Sequence, residues 1–218
     1  MKKIKIALFL NTLIVILTII SSIIMFTGFK FMYDYELVLE SNKISMFKFF
    51  TVDSNMLMGL VSLIFIVKEV ELLKNKKQIE KKYYLLKLMS TTAVGLTFLV
   101  VFAYLGPLTK YGIKAMITNS NLFFHLIIPV ISILNFILFE KTDELNLKDV
   151  KYGIIPTFIY SIFYITNIVI HMENGKVSTV YDWYWFVQNG VWTTIIVVPV
   201  IFGITYLISL IIWKLNRK

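Results

Sequence analysis

An all-α polytopic membrane protein, with six transmembrane helices in one bundle and both termini cytoplasmic, is the fold class this sequence predicts. Three observations predict it. First, the chain is 58% hydrophobic and only 16% charged, with a mean hydropathy of +0.77; soluble domains carry about 25% charged residues. Second, apolar runs close to the ~20 residues needed to cross a ~30 Å hydrocarbon core recur along the chain. They occupy six stretches, 4–29, 49–67, 88–105, 121–139, 152–171 and 190–213. Third, with both termini inside, sixteen of the 22 Lys and Arg residues fall in cytoplasmic segments and six fall outside (Lys30, Lys43, Lys48, Lys110, Lys114 and Lys176). That asymmetry is the positive-inside pattern. Helices are expected rather than a barrel, because a barrel needs short alternating segments and these runs are unbroken.

The formal net charge of +9 follows from this topology and from attraction to anionic lipid of the inner leaflet. It points to membrane lipid as a partner and away from nucleic acid, with the chain integral to the cell (plasma) membrane. The polar connections are too short for a second domain, so residues 1–218 read as one. Zero cysteines exclude disulfides, thiol nucleophiles and Cys-ligated metals. Glycine-rich phosphate loops, HExxH and GxSxG are also missing from the sequence. The reading calls for no cofactor and no metal.

The first run follows Met1-Lys2-Lys3 as a signal peptide would, but it exceeds a typical apolar signal core and lacks a small-residue cleavage site. It is read as a span whose Thr12, Thr18, Ser21 and Ser22 bond their own backbone or pack on neighbours. Tyr33 and Tyr35 in the following outer segment suit the membrane interface. The second run opens FFTVDSN. At ~100° per residue Thr51, Ser54 and Asn55 share a face, while Asp53 points largely elsewhere. Residues 68–87 mix Glu69, Glu71 and Glu80 with seven lysines and are expected to extend the flanking helices over the cytoplasmic headgroups. The third run packs closely through Gly95 and its threonines and ends at Gly106-Pro107.

The fourth run, NLFFHLIIPVISILNFILF, carries His125 four residues before Pro129. A proline disturbs the carbonyl of residue i−4, so the local distortion is expected at His125 itself. Counted from the inner ends of their spans at 1.5 Å per residue, Thr51 and His125 lie ~24 and ~21 Å up, at matching depth. Asp53 is level with them and a candidate to orient the imidazole. Ionisable groups inside a span are functional candidates. The fifth run holds Pro156, Asn167 and His171. The aromatic segment Tyr181-Asp182-Trp183-Tyr184-Trp185-Phe186 is expected to be an interfacial belt, with a lid over a substrate mouth as the alternative. The sixth contains Trp192, Thr193, Thr194, Pro199 and Gly203, and Trp213-Lys214 anchors its inner end.

A threonine hydroxyl becomes a nucleophile when a neighbouring base removes its proton, and imidazole is the usual base near neutral pH. Thr51 as nucleophile, His125 as base and Ser54 and Asn55 as oxyanion donors form a coherent constellation. The helix count, the FFTVDSN segment and the NLFFH segment with its H-x-x-x-P spacing resemble the androgen-induced/FAR-17a-like membrane protein family and its bacterial relatives. That resemblance implies a threonine hydrolase of fatty acid esters of hydroxy fatty acids, with Thr51 and His125 at the matching positions. Two other readings remain open on the same residues. One is a transporter or scaffold in which Thr51, Asp53, Asn55 and His125 line a pathway. The other is a b-type haem protein with His125 and His171 as axial ligands.

Overall fold

The computed structural model describes residues 1–32, 42–108, 110–187 and 191–217, and of residues 191–194 the backbone alone. Among these, all regular structure is helical apart from one isolated bridge between Glu173 and Lys176. Helix α1 spans Lys2–Thr27 and α2 spans Phe50–Asn75. Helix α3 runs over Lys81–Leu108, with a π-helical stretch at Val101–Leu105. A single short turn, α4, covers Ile113–Met116. Helix α5, Leu122–Leu138, begins π-helical over Leu122–Ile127. Helix α6, Leu147–Ile170, begins as a 3-10 helix over Leu147–Ile154. Helix α7 is Val191–Asn216.

Four helices are long and apolar enough to cross a membrane: Lys2–Thr27, Lys81–Leu108, Leu147–Ile170 and Ile195–Asn216. They coincide with the first, third, fifth and sixth expected spans. The fourth expected span folds as a shorter apolar helix, Leu122–Leu138. The second, but for Phe49, lies within α2, which continues past its apolar run through Lys68, Glu69 and Glu71. Large apolar side chains stand exposed along α1 (Ile16, Ile19, Ile23), α6 (Ile159, Ile162, Val169) and α7 (Ile196, Leu207, Ile211). Such faces are compatible with lipid contact.

Helix α3 is the central element, touching α2, α5, α6 and α7, while α1 lies against α2 and α5. Its sequence explains why: Lys87, Leu88 and every residue from Ser90 to Thr97 are buried, and most of these are small. Small residues let backbones approach when lipid supplies no hydrophobic drive between helices. Two glycines mark the tightest approaches. A Cβ on Gly59 would sit 2.9 Å from Thr18 Cγ2, at the α1–α2 contact. One on Gly153 would meet the Ser209 side chain and lie 3.0 Å from Thr92 Oγ1, where α6 enters between α7 and α3.

Local chemistry sets the ends. Gly28, at φ 70°, closes α1. Asn146 and Asp149 form a reciprocal capping box at the start of α6, and Lys81 pairs with Asp149 at 2.7 Å. The α1 hydroxyls behave as expected, Thr12 donating to Leu8 O and Ser22 to Thr18 O. Helix α3 continues through Gly106-Pro107 to Leu108, a little beyond its expected end. The expectation for residues 68–87 requires correction: Glu69 and Lys87 do not lie over headgroups but are buried between helices. Tyr33, Tyr35 and the side chains of Trp192, Thr193 and Thr194 lie outside what the structure describes.

Candidate active site

Helix α5 starts in π register because Pro129 lacks an N–H. In that register the residue-129 amide would have bonded the carbonyl of Phe124, five residues back. Phe124 O instead accepts from the Asn55 side chain at 3.0 Å, tying α2 to α5. The distortion expected at His125 is therefore present, and it displaces His125 from an ordinary helical position. His125 is 7% exposed, and its Nδ1 lies 2.5 Å from Met116 O. A carbonyl only accepts, so Nδ1 carries the proton and Nε2 keeps the lone pair. The Met116 carbonyl is available because α4 ends there and its last carbonyls have no helical donor.

Thr51 sits in the first turn of α2, half-buried. It and His125 line one small cavity of about 30 Å³, together with Met25, Phe49, Val52, Leu105, Met116, Asn121 and Tyr184. That volume accommodates one or two waters. No hydrogen bond joins the two side chains, and the Thr51 hydroxyl makes none with any described residue. The two are thus brought into one enclosure, with space for a bridging water.

The remaining expected site residues fall elsewhere. Ser54 Oγ bonds Thr51 O at 3.1 Å and Thr97 Oγ1 at 3.0 Å. Both protons of the Asn55 amide are used, on Thr51 O at 2.7 Å and on Phe124 O. These two residues join helices, and their protons are engaged on partners other than a developing oxyanion. Asp53 requires a correction too. It does not orient the imidazole; Met116 O does. Asp53 lines a second, more open groove of about 450 Å³ between α2 and α6, with Phe47, Phe50, Leu57, Pro156, Ile159 and Tyr160. His171 is not among the residues around His125; its ring stacks on Tyr181 at 3.6 Å and its Nδ1 bonds Asn167 O.

The aromatic segment after α6 folds inward rather than forming only a belt. Asp182, fully buried, accepts from the Tyr164 hydroxyl, from Phe186 N at 2.9 Å and from Val187 N at 3.0 Å. Trp183 donates to Tyr160 OH at 3.0 Å, and Tyr160 donates to Lys48 O. The Tyr184 hydroxyl accepts from Phe50 N at 3.0 Å, one of the amides at the start of α2 that no helical carbonyl can reach. Tyr184 thereby covers the Thr51–His125 cavity. Burial pushes its phenol up to about 12, so the phenol stays protonated at neutral pH. Only Tyr181 and Val180 keep the outward exposure of an interfacial aromatic or apolar residue.

A second polar centre was not foreseen as a site. Asn11 of α1 donates to Glu69 Oε2 at 3.0 Å and to Glu140 Oε1 at 2.7 Å. Lys87 pairs with Glu140 Oε1 at 3.2 Å and lies 4.7 Å over the Phe65 ring. The available signal was position: Glu69 follows the second apolar run, Lys87 precedes the third and Glu140 closes the fourth, so all three stand at one depth.

No family model matches the chain, and neither do the curated proteins or the solved structures.

Proposed function

We propose that this chain is an integral-membrane threonine hydrolase of lipid esters, crossing the plasma membrane six times with both termini cytoplasmic. The observation that carries the reading is that Thr51 and His125, from α2 and α5, line one enclosed cavity with the imidazole held as a base. The resemblance of FFTVDSN and NLFFH to the androgen-induced/FAR-17a-like family adds the substrate class, a fatty acid ester of a hydroxy fatty acid.

In this reading His125 Nε2 takes the Thr51 proton, directly or through one water, as Oγ1 attacks the ester carbonyl. The tetrahedral intermediate collapses and its C–O bond to the hydroxy acid breaks. That oxygen leaves with the proton from Nε2. A water deprotonated by the same nitrogen then attacks the acyl-threonine, releases the fatty acid and returns a proton to Thr51 Oγ1. Asn121, which lines the cavity, takes the oxyanion role that Ser54 and Asn55 cannot. The groove beside Asp53, lined mainly by apolar side chains, is sized for part of an acyl chain, and its lining residues Phe50 and Asp53 flank Thr51 in the first turn of α2. The small cavity admits the ester only after the Tyr184 cover swings away from Phe50.

The test is turnover of such an ester by detergent-purified protein. Thr51→Ala and His125→Ala should each lower kcat by at least about 100-fold, at equal folded amounts. Wild-type protein inert toward both this ester and a p-nitrophenyl ester would refute the reading. A transporter is the second reading, favoured by the buried charges of Glu69, Lys87 and Glu140.

A further inference from the structure

Around Glu140 the hydrogen-bond donors and acceptors are out of balance. Three donors converge on one carboxylate oxygen: Asn11 at 2.7 Å, Asn135 at 3.0 Å and Lys87 at 3.2 Å all address Oε1. The other oxygen, Oε2, is buried and has no donor among the described residues. Two further buried acceptors are in the same condition, Asn135 Oδ1 and Asn216 Oδ1. Both amides are held against Glu140. Asn135 Nδ2 bonds its Oε1, and Asn216 Nδ2 bonds its backbone oxygen at 3.0 Å and Phe136 O at 2.6 Å. Neither amide can be turned round, because that would set oxygen against oxygen. Exposure is 5% at Glu140, 0% at Asn135 and 1% at Asn216. The surroundings thus hold three oxygen acceptors in want of a donor or positive charge; the Ser132 hydroxyl, one turn before Asn135, is buried without a partner as well but bonds none of them.

Formal charge runs the same way. Glu69 and Glu140 bring two carboxyl groups into the buried cluster and Lys87 brings one ammonium group. The second carboxylate is costly in a low-dielectric interior unless it takes up a proton or another cation joins it. Hard oxygen acceptors, carboxylate and carboxamide, suit a hard cation, and one excess negative charge is matched by a monovalent one.

We propose that Glu140 Oε2, Asn135 Oδ1 and Asn216 Oδ1 bind one sodium ion at the inner end of the helices, which neutralises the Glu69–Lys87–Glu140 cluster. The site joins α5 and the segment after it to the last turn of α7, so an occupied site fastens the C-terminal helix to α5. It is separate from the Thr51–His125 cavity and stands whether or not that cavity is hydrolytic.

The experiment is thermal unfolding of the full-length protein in detergent, titrated with NaCl against choline chloride at fixed pH and ionic strength. At a 100-fold excess over Kd the midpoint should rise by roughly 5–10 °C in sodium over choline and then level off. Asn135→Leu and Asn216→Leu, each offering one acceptor fewer, should abolish the sodium response while retaining the wild-type elution volume; two variants guard against one failing to fold. Equal midpoints in sodium and choline would mean that ordered water alone meets these acceptors, and would overturn the proposal. So would a midpoint that follows pH and not sodium, which would make the balancing charge a carboxyl proton. A sodium response that survives in both variants would place the ion elsewhere and equally refute the assignment.

Discussion

His125 illustrates how one side chain's role is set by backbone it does not belong to. Its neutral tautomer follows from the Met116 carbonyl left over at the end of α4. A 15N-edited spectrum of labelled protein at neutral pH should show a protonated Nδ1 and an unprotonated Nε2; the reverse tautomer would remove its basic lone pair from the account. Asn121→Leu should lower kcat by about 100-fold with little change in KM, as loss of one oxyanion donor does, whereas an unchanged kcat would return that role to another group. Lys87 is the residue whose removal should cost most in stability. Lys87→Met strands Glu140 without its buried partner, a loss of about 3–5 kcal/mol. Lys87→Met combined with Glu140→Gln should recover much of it. That Thr51 and His125 line one cavity was legible in the sequence, from a hydroxyl and an imidazole at matching depth in two apolar runs. The inward turn of Lys87 and Glu69 was not, because within a lysine-rich stretch their places at the ends of apolar runs become a signal only when set beside Glu140.

At the scale of elements, Pro129 determines the start of α5. Its missing amide leaves Phe124 O for Asn55, so one imino acid both offsets His125 and ties α2 to α5. The sequence pointed to a disturbance at His125 from the proline spacing alone; the π register and the Asn55 bond needed the neighbouring helix. The aromatic segment was misjudged for a related reason. Tyr and Trp suit an interface and a buried cover equally well, and the three hydrogen bonds into Asp182, with those of Trp183 and Tyr184 to Tyr160 and Phe50, draw the segment inward. Gly153 tests the close packing of α6. Gly153→Val would force a branched side chain into Ser209 and Thr92, at a cost of about 1–3 kcal/mol, read as a lower unfolding midpoint. An unchanged midpoint would mean that α6 can move aside.

At the scale of the whole molecule, the long apolar helices and their exposed aliphatic faces followed directly from composition, because hydropathy alone sets them. How many helices cross is a question for labelling, and a chain with no cysteine suits it. With six crossings, Lys176→Cys should react with an impermeant maleimide on intact cells, and Lys77→Cys only after lysis; the opposite pattern would invert the topology. The central claim concerns Thr51 and His125 acting together, and the acyl-threonine tests it most directly. Protein mixed with a slowly hydrolysed long-chain ester and quenched in acid should gain the mass of one acyl group on the peptide that carries Thr51. Thr51→Ala should gain none. An adduct on another residue, or an equal adduct in Thr51→Ala, would contradict the account.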